Sequence, residues 1–203
     1  MDNNLRKTLS RVAGFYDEKK VGDVGSLGFR RSTDLSKLLA CLDELVDRDI
    51  LMLGKSSFLD MGCADGRVNV LFSYLMKNSV GIELDEWTLE EYVPLKEELE
   101  GVLRNDNLLF PPDNISLFHG DSMDSRIHGE IKKETSLGFK KFDLFYTYLT
   151  MQEEFAGLIA RKAKKGAVFM IYGLEKILPR FDGLTLLTPK RPLQGILALY
   201  RKI

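Results

Sequence analysis

The stretch "FLDMGCADGRVNVLFSYLMKNSVGIELDEW", Phe58–Trp87, decides the fold. The apolar run "SSFLDM" reads as a buried strand that breaks at Asp60, and a loop of small residues follows. Val68, Leu71, Phe72, Leu75 and Met76 then recur at helical spacing. A second apolar run, "SVGIEL", ends at Glu83 and Leu84. A strand, a helix and a second strand at this spacing form a crossover unit, which makes the two strands parallel neighbours.

The pattern continues outward from this unit. "NISLFHGD" predicts a third strand ending near Asp121, "FDLFYTYL" a fourth and "AVFMIY" a fifth. "LTLLT" and "GILALYRKI" leave no room for a long helix between them and predict a final antiparallel hairpin. Residues 86–104 predict a helix, with Pro94 starting a second segment or kinking it. The segment 122–141 is polar and predicts a loop with a short helix. Thr150 and Glu153 have the spacing of a capping box, opening a helix that buries Phe155, Leu158 and Ile159 and stops at Gly166. Upstream, Leu5, Leu9, Val12, Phe15 and Tyr16 share one face of a helix over residues 1–20. Gly22, Gly25 and Gly28 predict a flexible or turn-rich segment. Ser32 or Thr33 then caps a helix whose core face is Leu35, Leu38, Leu39, Leu42, Leu45 and Val46. Strand–helix alternation gives an α/β fold, a parallel sheet wrapped by helices.

Composition narrows the function. A chain of 203 residues suits one domain with a sizeable core. A net charge of −1 gives no strong global pull toward nucleic acid. Cys41 and Cys63 lack the spacing of a zinc site or a disulfide framework, and His119 and His128 are too few for a metal centre. No apolar run approaches the roughly 20 residues that span a bilayer. The first twenty residues hold no apolar signal core, so the expected location is cytoplasmic.

Ligands of parallel sheets bind outside the carboxyl ends of the strands, at the switch in strand order. Asp60, Gly62, Glu83, Asp121 and Tyr148 all fall at such ends. Gly62, Ala64 and Gly66 let a ligand approach the backbone. A dinucleotide fingerprint needs G-x-G-x-x-G, but Arg67 stands where its third glycine belongs. Asp60 repels a pyrophosphate and attracts a cation. The implied ligand is nucleoside-like, free of phosphates and positive at one end. S-adenosylmethionine fits.

Here the chain resembles a family. "FLDMGCADGRV" is similar to the first motif of class I, seven-stranded S-adenosylmethionine-dependent methyltransferases. "GIELDE" resembles their second-strand acidic motif, "FHGDSM" their third-strand motif, and "FDLFYTYLT" sits where the fourth belongs. The resemblance covers about residues 32–203. It implies a seven-stranded, mostly parallel sheet with helices on both faces and a C-terminal antiparallel hairpin. It implies that Asp60 binds the methionine ammonium, and that Gly62, Cys63, Ala64 and Gly66 carry the loop against the methionyl and ribose parts. Glu83, with Leu84 beside it, takes the ribose hydroxyls. Asp121 takes the adenine amine, with Ser122 or Met123 lining the ring. Thr33, at the entry to the domain's first helix, also touches the cofactor. Ala64 departs from the family's glycine, and its methyl group is expected to weaken binding at most.

Methyl transfer from a sulfonium needs alignment and exclusion of water, not a metal. The acceptor side falls after the fourth strand, where Tyr146 and Tyr148 are the catalytic candidates. Strand alternation points Tyr146, Tyr148 and Thr150 one way and Thr147 the other. The "[ND]-P-P-[YF]" motif of nucleobase N-methyltransferases is absent, as is a Pro-Cys nucleophile. A protein or small-molecule acceptor is therefore expected over nucleic acid. "GFRRSTDLSKLLACLDEL" with "YTYLT" looks like small lysine methyltransferases, which implies a protein lysine, with Arg30 and Arg31 meeting an acidic substrate or solvent. "RKAKKG" reads as a solvated helix end that complements the helix dipole. Residues 1–31 are expected to form a lid over a domain at 32–203. The alternative is a non-catalytic cofactor-binding or scaffold protein that retains the fold.

Overall fold

The computed structural model describes residues 2–19, 21–25, 28–30, 32–188 and 190–203, with backbone alone over 22–25 and 28–30. The chain opens with helix α1 (Asn3–Asp17), strands β1 (Val21–Gly25) and β2 (Gly28–Arg30), and helix α2 (Leu35–Asp47). The quoted stretch then forms β3 (Ser57–Met61), α3 (Arg67–Ser73) and β4 (Asn78–Glu83), followed by α4 (Glu86–Glu90), α5 (Tyr92–Asn105) and β5 (Ile115–His119). Next come α6 (Ser125–Thr135), β6 (Leu144–Tyr148), α7 (Gln152–Lys162), β7 (Val168–Tyr172), β8 (Leu184–Leu186) and β9 (Leu197–Lys202).

Seven strands make one sheet in the order β5-β4-β3-β6-β7-β9-β8. The first five pair in parallel, and β9 runs antiparallel to both β7 and β8. All five residues of β3 and of β7 are buried, as expected for strands covered on both faces. Alternation along the strands divides the core. Phe58 and Tyr146 face a layer that holds Leu9, Val12, Leu38, Leu42, Phe72 and Leu99. Leu59 and Phe145 face one that holds Ile127, Ile131, Phe155 and Ile159. The expected α/β architecture, including the terminal hairpin, is the one observed. Strand order reverses between β3 and β6, so the switch point lies beside the Met61–Gly66 loop.

Local details depart from expectation for tertiary reasons. The helix expected over 1–20 forms, and α1 buries Leu9, Val12, Ala13, Phe15 and Tyr16 against α2, α3 and α5. The glycine-punctuated segment after it is an antiparallel pair, β1 with β2, rather than a run of turns. Neither Ser32 nor Thr33 caps α2. Asp34 does, accepting from the Lys37 amide at 2.8 Å, and the Asp17 carboxylate reaches across from α1 to the Leu35 and Ser36 amides at 2.7 and 3.0 Å. Asp124 likewise caps α6, an 11-residue helix where a short one was expected, anchored by Ile127 and Ile131. The Thr150–Glu153 capping box does not form. Met151 takes the cap position of α7 at φ 47° with no side-chain cap. No helix among the described residues is long and apolar enough to cross a membrane.

Candidate functional site

The loop after β3 is pinned to its neighbour. The amides of Gly62 and Cys63 both donate to the Ile82 carbonyl at 2.9 Å. Gly62 sits at φ 116°, a conformation that favours glycine, and a Cβ built there would meet nothing within 4 Å. Space is therefore open in front of this residue. Gly66 serves a different purpose. At φ 75°, a Cβ would fall 2.8 Å from Leu117 Cδ1 and 2.9 Å from Tyr92 Cδ2. Its smallness admits β5 and α5 packing.

Glu83, at the end of β4, has its carboxylate fixed by backbone. Oε2 accepts from the Ala64 amide at 2.9 Å and Oε1 from the Asp85 amide at 3.0 Å. The first bond explains why Ala64 tolerates φ 49°, since that turn aims its N–H at the acid. Glu83 stands on the wall of a cavity of about 490 Å³, within the range of small-ligand sites. Gly62, Ala64, Leu84, Asp121, Ser122 and Tyr148, all expected at the site, line it too. Thr150, expected on the acceptor side, lines it as well; sequence reasoning did not assign Val21, Met61, Ile82, Asp85, Gly120, Thr147 or Met151 to a ligand wall, and they complete it. Most of these flank strand carboxyl ends, a signal that was available. Val21 arrives from β1 and only tertiary structure brings it there.

The other expected residues lie behind this wall. Asp60 is 1% exposed, and its Oδ1 has no hydrogen-bond partner. Burial, then the nearby Glu83 and Asp65, pushes its carboxyl pKa well above the ordinary range. Cys63 is buried against β4, where a Cβ on Gly81 would come within 2.8 Å of its own. Burial and the neighbouring acids push its thiol well up, so it is a packing group and not a nucleophile. Thr33 and Tyr146 hold each other, Oγ1 to hydroxyl at 2.7 Å, in a buried contact. Burial raises the Tyr146 phenol far above its usual value. Tyr148 is half-buried on the cavity wall, its ring 5.5 Å from Tyr172. Asp121 is exposed and accepts from the Met123 amide at 2.8 Å. His119 meets the Leu84 carbonyl at 3.1 Å.

Arg67 is the residue whose role the sequence least disclosed. It is 2% exposed, paired with Asp65 at 2.8 Å. Its guanidinium also donates to the carbonyls of Tyr16 and Lys19 and to the Ser32 hydroxyl, at 3.1, 3.3 and 3.2 Å. Those groups flank the β1–β2 pair on both sides, so one buried cation ties that pair to the site loop. Arg30 and Arg31 lie outside the residues whose side chains are described. Three non-glycine residues with left-handed backbone, Ala64, Leu149 and Met151, flank this one cavity, and such strain concentrates at functional sites.

No protein-family model matches the sequence, and neither does any curated protein. Solved structures match over most of the chain. An RNA methyltransferase from Salinibacter ruber, in complex with S-adenosyl-L-homocysteine, is 16% identical with a TM-score of 0.53, over 86% of this chain and 94% of that one. A tRNA methyltransferase from Aquifex aeolicus is 11% identical with a TM-score of 0.53, over 96% and 76%. The chain has the Rossmann-like fold of the class I S-adenosylmethionine-dependent methyltransferases.

Proposed function

We infer that this protein is an S-adenosylmethionine-dependent methyltransferase. One observation carries the reading: a Glu83 carboxylate oriented by two backbone amides on a cavity at the topological switch point. Two further features fit the cofactor. The open space before Gly62 admits its methionyl part, and the partnerless Asp60 oxygen suits its ammonium, directly or through water. Glu83, held on the cavity wall by the Ala64 and Asp85 amides, is the carboxylate placed to take the ribose hydroxyls. Asp121 and Ser122 take the adenine edge.

The cofactor brings an already activated methyl group, so the chain's residues mainly orient and exclude water. Tyr148, Thr150 and Met151 form the wall an acceptor meets. Tyr146, spent on Thr33 and with a raised pKa, is a poor base and supports the wall from behind. Both of the matched structures described above act on RNA, which supports an RNA acceptor; nothing in them supports a lysine.

Calorimetry with S-adenosylhomocysteine tests the reading, with NAD and the Asp60→Ala and Glu83→Ala variants as controls. Micromolar binding of the homocysteine ligand alone, abolished in both variants, is expected. Label transfer from methyl-labelled cofactor to RNA then separates an enzyme from a scaffold that only binds. Absent binding in the intact protein overturns both.

A further inference from the structure

A second cavity, of about 690 Å³, is larger than the first and contains none of its residues. One wall is the end of α2, with Glu44 and Arg48; the other is the β8–β9 connection, with Thr188, Lys190, Arg191 and Gln194. Three cations and one acid thus line the cavity, and that acid is already engaged by Arg48, on its own wall, in an i, i+4 ion pair. Lys190 and Arg191 are exposed and have no ion-pair partner among the described residues. In a chain whose net charge is −1, this is a local excess of positive charge.

Its position gives the excess meaning. β8 runs parallel to β7 and β9 runs back, so the connection between them lies at the carboxyl edge of the sheet. That is the edge that holds the Glu83 cavity. The Gly173 amide donates to the Ile196 carbonyl at 2.9 Å, and Tyr172 pairs with Leu197 in the register. Tyr148, on the first cavity, pairs with Tyr172. Two strand spacings, about 10 Å, therefore separate Tyr148 from Leu197, the residue at which the connection lining the second cavity enters β9. The other basic cluster, Arg161–Lys165, is at the opposite edge. There α7 ends, Lys164 pairs with Asp143 at the start of β6, and Lys202 donates to the Ala163 carbonyl.

We propose that the cavity between α2 and the β8–β9 connection docks the phosphodiester backbone of an RNA acceptor. Cations on two facing walls suit a chain of phosphates running between them, and a planar guanidinium suits phosphate oxygens in pairs. Thr188 and Gln194 add neutral hydrogen-bonding groups. The word acceptor rests on the methyltransferase reading; the docking itself does not.

The test uses the full chain, the Lys190→Glu/Arg191→Glu double variant and Arg48→Gln. Anisotropy is read with a labelled 20-nucleotide single-stranded RNA and with a tRNA transcript, at low and moderate salt. The intact protein is expected to bind RNA. The double variant should bind roughly tenfold more weakly or worse, with a salt slope smaller by about 1.4 for two lost phosphate contacts. Its thermal midpoint and S-adenosylhomocysteine affinity should not change. Arg48→Gln, on the opposite wall, should show a smaller loss of the same kind. Equal RNA affinity in the intact and double-variant proteins overturns the proposal. So does equal binding of a polyglutamate peptide of matched charge, which makes the surface one for an acidic protein. RNA binding lost in the variants of a protein that never binds S-adenosylhomocysteine sustains the docking site and sinks the methyltransferase reading alone.

Discussion

At Asp60 the demands of stability and of the proposed ligand oppose each other. Its folded pKa lies above its unfolded value, so between the two the folded state holds the extra proton. Stability is therefore full below the unfolded pKa and falls as pH rises toward the folded one. Asp60→Asn removes the ionisable group. It is expected to raise the thermal midpoint at neutral pH by about 2–4 °C, the equivalent of roughly 1 kcal/mol in a chain this long, while S-adenosylhomocysteine binding is lost. Circular dichroism melts and calorimetry check both halves. A bound ammonium favours the ionised acid, so in the intact protein affinity should climb with pH through the raised pKa. A flat profile would remove Asp60 from the ammonium site. Ala64 offers the complementary case. Its left-handed backbone costs an alanine about 1–2 kcal/mol, and glycine returns part of that as unfolded-state entropy. Ala64→Gly should stabilise by about 0.5–1 kcal/mol in urea unfolding and keep or tighten cofactor binding, since the amide to Glu83 remains.

At the scale of elements, Arg67 is the hinge pin between α1, the β1–β2 pair and the site loop. Removing it leaves Asp65, itself 0% exposed, as a buried charge without its partner. Arg67→Met should cost about 3–5 kcal/mol by that mechanism. The informative readout is local. Amide exchange at Val21–Gly25 should quicken, and S-adenosylhomocysteine should bind more weakly because Val21 leaves the cavity wall. Arg67→Lys keeps the charge but not the fork of donors, and should recover part of the stability and little of the protection. Exchange rates at Val21–Gly25 that match the intact protein would mean that Arg67 anchors the loop alone. The same exchange experiment, run with and without S-adenosylhomocysteine, tests whether the pair closes over the ligand as a lid.

Across the whole molecule, α1 belongs to the core layer that backs β3 and β6. Leu9 and Val12 are both fully buried there. Leu9→Ala should cost about 2–5 kcal/mol and shift a single cooperative transition seen alike by far-ultraviolet dichroism and tyrosine fluorescence. A separate early transition would instead make the N-terminal segment an independent unit.

What the sequence determined by itself was the β3–α3–β4 unit, the terminal hairpin and which polar residues stand at the strand ends. Buried parallel strands need continuous apolar runs, crossover helices need their own period, and polar residues are tolerated only where a strand stops. Those are local constraints, so Asp60, Glu83, Asp121 and Tyr148 could be read directly from the chain. Tertiary structure decided the rest, because the partners are far apart in sequence. Asp17 caps a helix other than its own, Thr33 turns from capping to Tyr146, and the left-handed Met151 takes the place of the expected capping box. Arg67 argued in sequence against a dinucleotide, yet its role as a clamp exists only once the Tyr16 and Lys19 carbonyls come within reach. Arg48 and Arg191 share a cavity only because β9 turns back along the sheet. Backbone carbonyls and facing walls carry no signature in the residues that will meet them, and only packing brings them together.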